Sequence, residues 1–570
     1  MKNHLNQEDK ETLPNFISSP RNTITNIYIY IRRLFSKPKV IVAAAVVVLF
    51  TAVLLRLDMI QQLFIGMGSF AIGRSLDAEV WHDRFEQWGL VLLTSPAYLL
   101  FLVYAIKTLL CPKEKQKTFD TIFLCLTYIL WFAFVGYTAL RHEPWKDELL
   151  VYIKARDLSA GGLLADVQVD GNFALWSLFI SLFAKNGGPV EVLTAASFCL
   201  CAVLVLFLLV KAPFSIYEKA AFVFTTAVCY FYPVVARPYV VFALLTVFLA
   251  SNWKNRTEHP IRVGILIALM AHTHLYAEGF VGSLTLSILV TDVILPWRNL
   301  NSEERKWRLA GLAIACLGIL LAATLVLPAV WKSDVVAANV GHRMDLNLKA
   351  FFANWIWPDL SKAGIPVVCL FVGLCIFLFF RDKGLFLIFS VAFVYMVLFH
   401  IFIYSASIPN RGSMWIFILV FVFWNIRERQ TKTPVHAYLL LLLFITATNP
   451  SWNIRDWKGE YSGEKKLCAY IQENFPTGET LYLTESEFLT AYIPTYDLKM
   501  LTLQHITPDE VDRAIDALFQ TDSSNSIVLV TAKPMLGTYP YPASHRWDKL
   551  YESSEIMSQY FQYSVLRVYR

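Results

Sequence analysis

The sequence predicts a polytopic α-helical membrane protein with a small α/β domain at its C-terminus. Three observations predict it. Of 570 residues, 56% are hydrophobic and only 16% are charged, whereas a water-facing surface needs about 25% charged residues. About thirteen apolar runs follow one another between residues 40 and 448, many of them near the length that crosses a hydrocarbon core of about 30 Å. From Asn449 the composition turns polar, and helix and strand signals alternate.

Bulk properties exclude other classes. A net charge of +6 with no basic run gives no footprint for nucleic acid. Nine cysteines lie mostly in or beside apolar runs without a C-x-x-C pair, which reads as buried thiols and not as a disulfide framework or zinc site.

Along the chain, residues 1–39 form a polar, cytoplasmic tail ending in Arg32, Arg33, Lys37 and Lys39. The first run, Val40–Leu57, lacks a small-residue cleavage site and reads as a retained span. Runs follow at Trp88–Leu110, Thr121–Leu140, Glu191–Val210, Ala220–Ala236, Tyr239–Trp253, Val263–Phe280 and Val281–Trp297. The last are Leu309–Pro328, Ile365–Phe380, Leu385–Ser405, Met414–Ile426 and Val435–Thr448, which closes the membrane domain at residues 40–448. The pairs at 220–253 and 263–297 read as tight hairpins. Placing the N-terminus inside gives about 21 Lys and Arg in roughly 65 inner-loop residues, against about 14 in roughly 140 outer ones. Outer loops then fall at 57–87, 141–190 and 329–364, and residues 449–570 form an extracytoplasmic domain. In that domain Thr507-Pro508-Asp509-Glu510 opens a helix. Strands are expected at Thr480–Thr484, Ser526–Thr531 and Tyr563–Tyr569. A bacterial inner membrane is the expected location.

The second outer loop begins Arg141-His-Glu-Pro144-Trp-Lys-Asp147-Glu148 and continues through Tyr152 and Arg156-Asp157. Pro144 fits a helix start, and the two acids fall in the first turn, where the macrodipole favours them. Read alone, the pair is an acidic capping turn. It is also able to take a proton from a hydroxyl and orient an acceptor or a cation.

In context, Glu-Pro-Trp-Lys-Asp-Glu, then Tyr152 and Ala-Arg-Asp157, ahead of many spans, resembles the membrane-embedded glycosyltransferases of the C superfamily. These include the protein O-mannosyltransferases, the lipid A aminoarabinose transferases and an uncharacterised bacterial branch. Asp170-Gly-Asn-Phe-Ala-Leu-Trp176 stands where that group carries a second, Gly- and Pro-rich motif, although the usual His or Lys is replaced by Asn172, Phe173 and Ala174. The motif resemblance covers roughly 141–190. It implies transfer of a sugar, with inversion, from a polyprenyl-phosphate donor to a lipid, glycan or protein hydroxyl. Asp147 is then the expected base and Glu148 its supporting acid. A divalent cation, Mg²⁺ or Mn²⁺, would be held by the same two residues if one is used.

Such a reaction needs cations where charge grows on the departing phosphate. Arg411, in Pro409-Asn-Arg411, and Arg237, in Arg237-Pro-Tyr239, lie at outer ends of spans and suit phosphate oxygens; snorkelling to headgroups is the alternative. His274 and Glu278 are four apart and would share a helical face, with a structural histidine as the competing reading. Tyr152, Arg156, Asp170 and Trp176 complete the expected cavity lining. Two rivals remain: a polysaccharide polymerase or O-antigen ligase, and a flippase for lipid-linked sugars. The scarcity of charge inside the spans disfavours transport.

Overall fold

The computed structural model describes residues 116–332 apart from 171, then most of 373–429 apart from 403–408, and in the C-terminal part 450–458, 463–475, 480–484, 502–505, 510–521, 524–534, 541–553 and 561–570, with a few single positions elsewhere. The expected spans Val40–Leu57 and Trp88–Leu110, most of Ile365–Phe380 and Val435–Thr448, and nearly all of the outer loops 57–87 and 329–364 lie outside these residues. The chain forms two compact units, and almost every described residue belongs to the one comprising Leu126–Lys432 and Leu440–Arg570.

This is a membrane-embedded helical protein with a small sheet. Five helices among the described residues are long and apolar enough to cross a bilayer. Helix α1 (Gln116–Arg141) leads into the loop helices α2 (Lys146–Asp157), α3 (Ala160–Asp170) and α4 (Ala174–Ala184), followed by α5 (Val192–Lys211). Then come α6 (Ile216–Val223), a π-helical turn (Ala227–Phe231), α7 (Tyr239–Asn252) and α8 (Pro260–Ala271). Next, α9 (Ala277–Ile288) runs on into a second π-helical stretch, Leu289–Ile294, and is followed by α10 (Ser302–Lys332), α11 (Lys383–Phe402) and α12 (Met414–Arg429). Residues Met414–Ile426 of α12 are buried on every side, as expected for an all-apolar helix at the centre of a bundle. By contrast, α1, α10 and α11 expose large apolar side chains such as Leu140, Leu317 and Phe402, which suits a lipid-facing position.

Two expected spans are corrected. Ala220–Ala236 is no continuous helix: it breaks after Val223 and becomes π-helical at Ala227–Phe231. Val263–Phe280 is interrupted at residues 272–276, so that α8 and α9 form the hairpin arms with their turn before the expected junction at Phe280 and Val281. At 12 residues, α8 is only about 18 Å long, and 14-residue α7 is about 21 Å, short of a full crossing. Helices α8 and α10 touch backbone to backbone: a Cβ on Gly264 would lie 2.3 Å from the Gly311 carbonyl oxygen, and one on Gly311 2.3 Å from that of Pro260. Small residues permit such contacts where lipid supplies no hydrophobic drive.

The far ends of these helices are pinned by ion pairs. Arg256 forks both oxygens of Asp292 at 2.7 Å, Arg308 donates to the Asp292 carbonyl at 2.8 Å, and Arg427 pairs with Glu218 at 2.7 Å.

In the C-terminal part, α13 (Ser451–Lys458) packs on α1: Asn453 and Trp457 both donate to the Thr138 hydroxyl, at 3.1 and 2.9 Å. The sheet has the order β2-β1-β3-β5-β4, with β1 (Thr480–Leu483) parallel to β2 (Thr502–His505) and β3 (Ser526–Pro534). Strands β4 (Trp547–Glu552) and β5 (Phe561–Tyr569) complete it antiparallel. Helix α14 (Glu464–Asn474) covers one face through Leu467, Cys468 and Ile471, and α15 (Val511–Thr521) covers the other through Val511, Ile515 and Phe519. The strands expected at 480, 526 and 563 are present; β2 and β4 add to them. The α14 face also receives Leu149 of α2, fully buried among domain side chains.

Candidate functional site

Helix α2 begins after Trp145, so Pro144 precedes the cap instead of opening the first turn. The two acids then diverge. Glu148 is wholly buried. One of its oxygens accepts the Trp145 N–H at 3.0 Å and faces His142 Nε2 at 3.3 Å; the other accepts the N–H of Ala236. The capping reading therefore holds for Glu148. Asp147 points elsewhere, 37% exposed, and its Oδ2 takes Arg237 Nη1 at 2.9 Å.

The structure thus joins two sequence-identified residues, Asp147 and Arg237, that lie ninety positions apart. Arg237 sits in the turn between the π-helical stretch and α7, its side chain 12% exposed. The turn is tight: Arg237 N–H donates to the Val235 carbonyl at 2.9 Å.

His274 lies beneath this turn. It is not on a helix with Glu278, as expected from spacing, but in the 272–276 connection, so the shared-face argument fails. Its Nδ1 accepts the Tyr276 N–H at 3.1 Å, which leaves the proton on Nε2, 3.3 Å from the Tyr239 hydroxyl. Its ring is flanked by Tyr239 at 4.9 Å and Tyr276 at 5.5 Å. Burial, and then the positive charges of Arg411 and Arg237, hold its pKa well below the ordinary imidazole value. The charge of Arg411, in the helical turn Pro409–Gly412, thus acts on the same histidine as that of Arg237. Next to it, Ser413 donates to the Tyr232 hydroxyl at 3.3 Å, and Tyr232 stacks on Tyr239 at 5.9 Å. Phe417, Tyr232, Tyr239, His274 and Tyr276 form a continuous row of ring contacts.

Tyr152 donates to the Gly188 carbonyl at 2.7 Å, tying α2 to the end of its loop. Arg156 forks its neighbour Asp157 at 2.7 and 2.9 Å on the surface, where the guanidinium holds that carboxyl below its usual range. Trp176 is buried in α4 against Phe179. Glu278 opens α9, and one of its buried carboxylate oxygens accepts no hydrogen bond among the described residues. The side chain of Asp170 lies outside the described residues. A cleft of about 860 Å³ lined by Glu258, His259, Arg262, Glu303 and Trp307 lies at the other end of α8, away from Asp147.

Sequence reasoning missed two residues. His142 lies between two carboxylates, its Nδ1 2.9 Å from Asp456 Oδ2 and its Nε2 facing Glu148. Burial works against its charge, but Asp456 and then Glu148 outweigh it and raise the pKa from 6.5 to about 10. His142 is therefore an imidazolium donating from both nitrogens. Asp456 also accepts from Tyr230 Oη at 3.2 Å. The only sequence signal for Asp456 was an acid set between Trp452 and Trp457 just past the last apolar run.

Both Glu148 oxygens face N–H donors, which suits a carboxylate satisfied by protein. Compared with known proteins, the chain matches no family model and no curated protein.

Proposed function

We propose that this protein is a glycosyltransferase that moves a sugar from a polyprenyl-phosphate carrier to an acceptor hydroxyl on the extracytoplasmic face. The observation that carries the reading is the Asp147–Arg237 pair at 2.9 Å, part-exposed, with the charge of Arg411 felt at His274 as that of Arg237 is. The motif resemblance across 141–190 and the membrane setting support it.

In this reading the acceptor oxygen attacks the anomeric carbon while the bond from that carbon to the phosphate oxygen breaks. The phosphate leaves with the bonding pair, and the acceptor proton passes to Asp147. Negative charge grows on the phosphate, where the Arg237 and Arg411 forks meet it. A neutral His274 adds no competing charge and keeps Tyr239 and the turn in place. Arg237 has two anionic partners in sequence: Asp147 in the resting enzyme, then the phosphate. Releasing Asp147 to the acceptor as the donor binds would couple the two events.

The test is transfer of label from a panel of polyprenyl-phosphate hexoses and pentoses in nanodiscs, with Asp147→Asn as the comparison. Transfer by the wild type that falls by about 10²–10⁴ in the variant supports the reading. Equal turnover per folded molecule would return Asp147 to a structural role.

A further inference from the structure

We propose that Asp456, acting through His142 and Glu148, is a positioning residue that holds the turn carrying Arg237 in register with Asp147. The inference rests on the function proposed above.

The path is short and buried throughout. Asp456 of α13 receives His142 Nδ1 at 2.9 Å and Tyr230 Oη at 3.2 Å. His142 passes its other N–H to Glu148 at 3.3 Å, and Glu148 spends its second oxygen on the Ala236 N–H. The Glu148–Ala236 bond joins the same two segments as the Asp147–Arg237 ion pair, one residue away on each side. The two links differ in fate. The ion pair must open if Arg237 is to take up a phosphate, whereas the buried bond has no reason to open. It would keep base and arginine aligned while the outer contact is exchanged, and misplacement by about 1 Å costs as much as about 10²-fold in rate.

The Trp145 and Ala236 N–H groups already hold Glu148; His142 adds a third donor, and because it is anchored at its far nitrogen it presents the near one at a fixed angle. Asp456 supplies the anchor, and Tyr230, from the π-helical turn just before Ala236, fixes Asp456 in turn. Four segments thus meet at one histidine: the end of α1, the start of α2, the 227–236 segment, and α13.

The experiment compares wild type, Asp456→Asn, Tyr230→Phe and Arg237→Ala in nanodiscs by amide exchange of the 230–240 peptide and by affinity for a short-chain polyprenyl phosphate. Asp456→Asn keeps the shape and removes the charge. It should speed exchange at Ala236 by about tenfold or more and weaken phosphate binding by about tenfold, with Tyr230→Phe smaller in the same direction. A purely structural residue would lower the melting temperature and leave both readouts at wild-type values in the folded fraction. The proposal is overturned if exchange and affinity stay within about twofold of wild type while Arg237→Ala weakens binding. Should Asp456→Asn not fold, an unchanged Tyr230→Phe overturns it equally. If Arg237→Ala and wild type bind the lipid alike, the glycosyltransferase reading has failed, and faster exchange in Asp456→Asn would still show that the link to Ala236 exists.

Discussion

Adjacent carboxylates at 147 and 148 should behave as opposites when each is made neutral. Glu148→Gln takes the charge from one side of a buried imidazolium and offers one acceptor where three N–H groups now converge. Removing one partner of a buried ion pair costs about 3–5 kcal/mol. That is a large share of a total stability of about 5–15 kcal/mol. Asp147 is more than a third exposed, and its pairing with Arg237 is screened by solvent. Exposed pairs contribute about 0–1 kcal/mol, so Asp147→Asn should unfold almost as the wild type does. Activity should invert this order. Asp147→Asn should lose about 10²–10⁴ in transfer per folded molecule, whereas the fraction of Glu148→Gln that folds should lose less. Denaturant unfolding in detergent, with turnover normalised to folded protein, measures both quantities on one preparation. The reasoning is refuted if Glu148→Gln matches wild-type stability, or if Asp147→Asn loses about 3 kcal/mol or more.

Arg411→Ala should raise the donor KM and lower kcat together, because the arginine is asked to bind a phosphate on which charge builds; both values within about twofold of wild type would make it a headgroup anchor. His142 has its pKa raised from 6.5 to about 10, so its contribution to stability is complete below about pH 6.5 and is lost as pH rises through about 10. Melting curves from pH 6 to about 10.5 should therefore decline in the wild type relative to His142→Gln, and parallel curves would contradict the buried imidazolium. Gly311→Ala drives a Cβ to 2.3 Å from the Pro260 carbonyl, which is backbone and has little room to yield. It should cost about 1–3 kcal/mol or more, and a neutral effect on the melting temperature would disprove the close α8–α10 contact. A reporter fused after Thr448 should be active only outside the cytoplasm; cytoplasmic activity would remove the orientation on which the donor chemistry depends.

What could be read from the chain depended on how local the signal was. Helices α1, α5, α11 and α12 appear within a few residues of their apolar runs, because run length alone sets them. The break at 272–276 did not appear, since Ala-His-Thr-His-Leu-Tyr-Ala holds neither Gly nor Pro. In the sheet, the three central strands were legible and the two edge strands were not. Strand β4 shows why: its side chains are mostly exposed, so no alternation of apolar and polar residues marks it. At the site, Arg237 and Arg411 stood out as cations at the ends of apolar runs, and Asp147 as an acid in a helix first turn within the stretch that carries the resemblance. The Asp147–Arg237 contact was invisible, as was the His142–Asp456 bond, which links residues 314 positions apart.

The insertion of Leu149 into the α/β domain has a consequence for the order in which the molecule is made. Its neighbours in that core, from Leu467 to Val565, are synthesised more than three hundred residues later. Until then Leu149 of α2 is without its pocket, and His142 has only one of its two carboxylates. Contacts of such long separation form late and slowly in any chain. The start of α2 can therefore reach its final geometry only after Asp456 and the α14 core have been made. A chain truncated before β5 would carry both residues of the Asp147–Arg237 pair and still lack Tyr563 and Val565 from the core that seats Leu149.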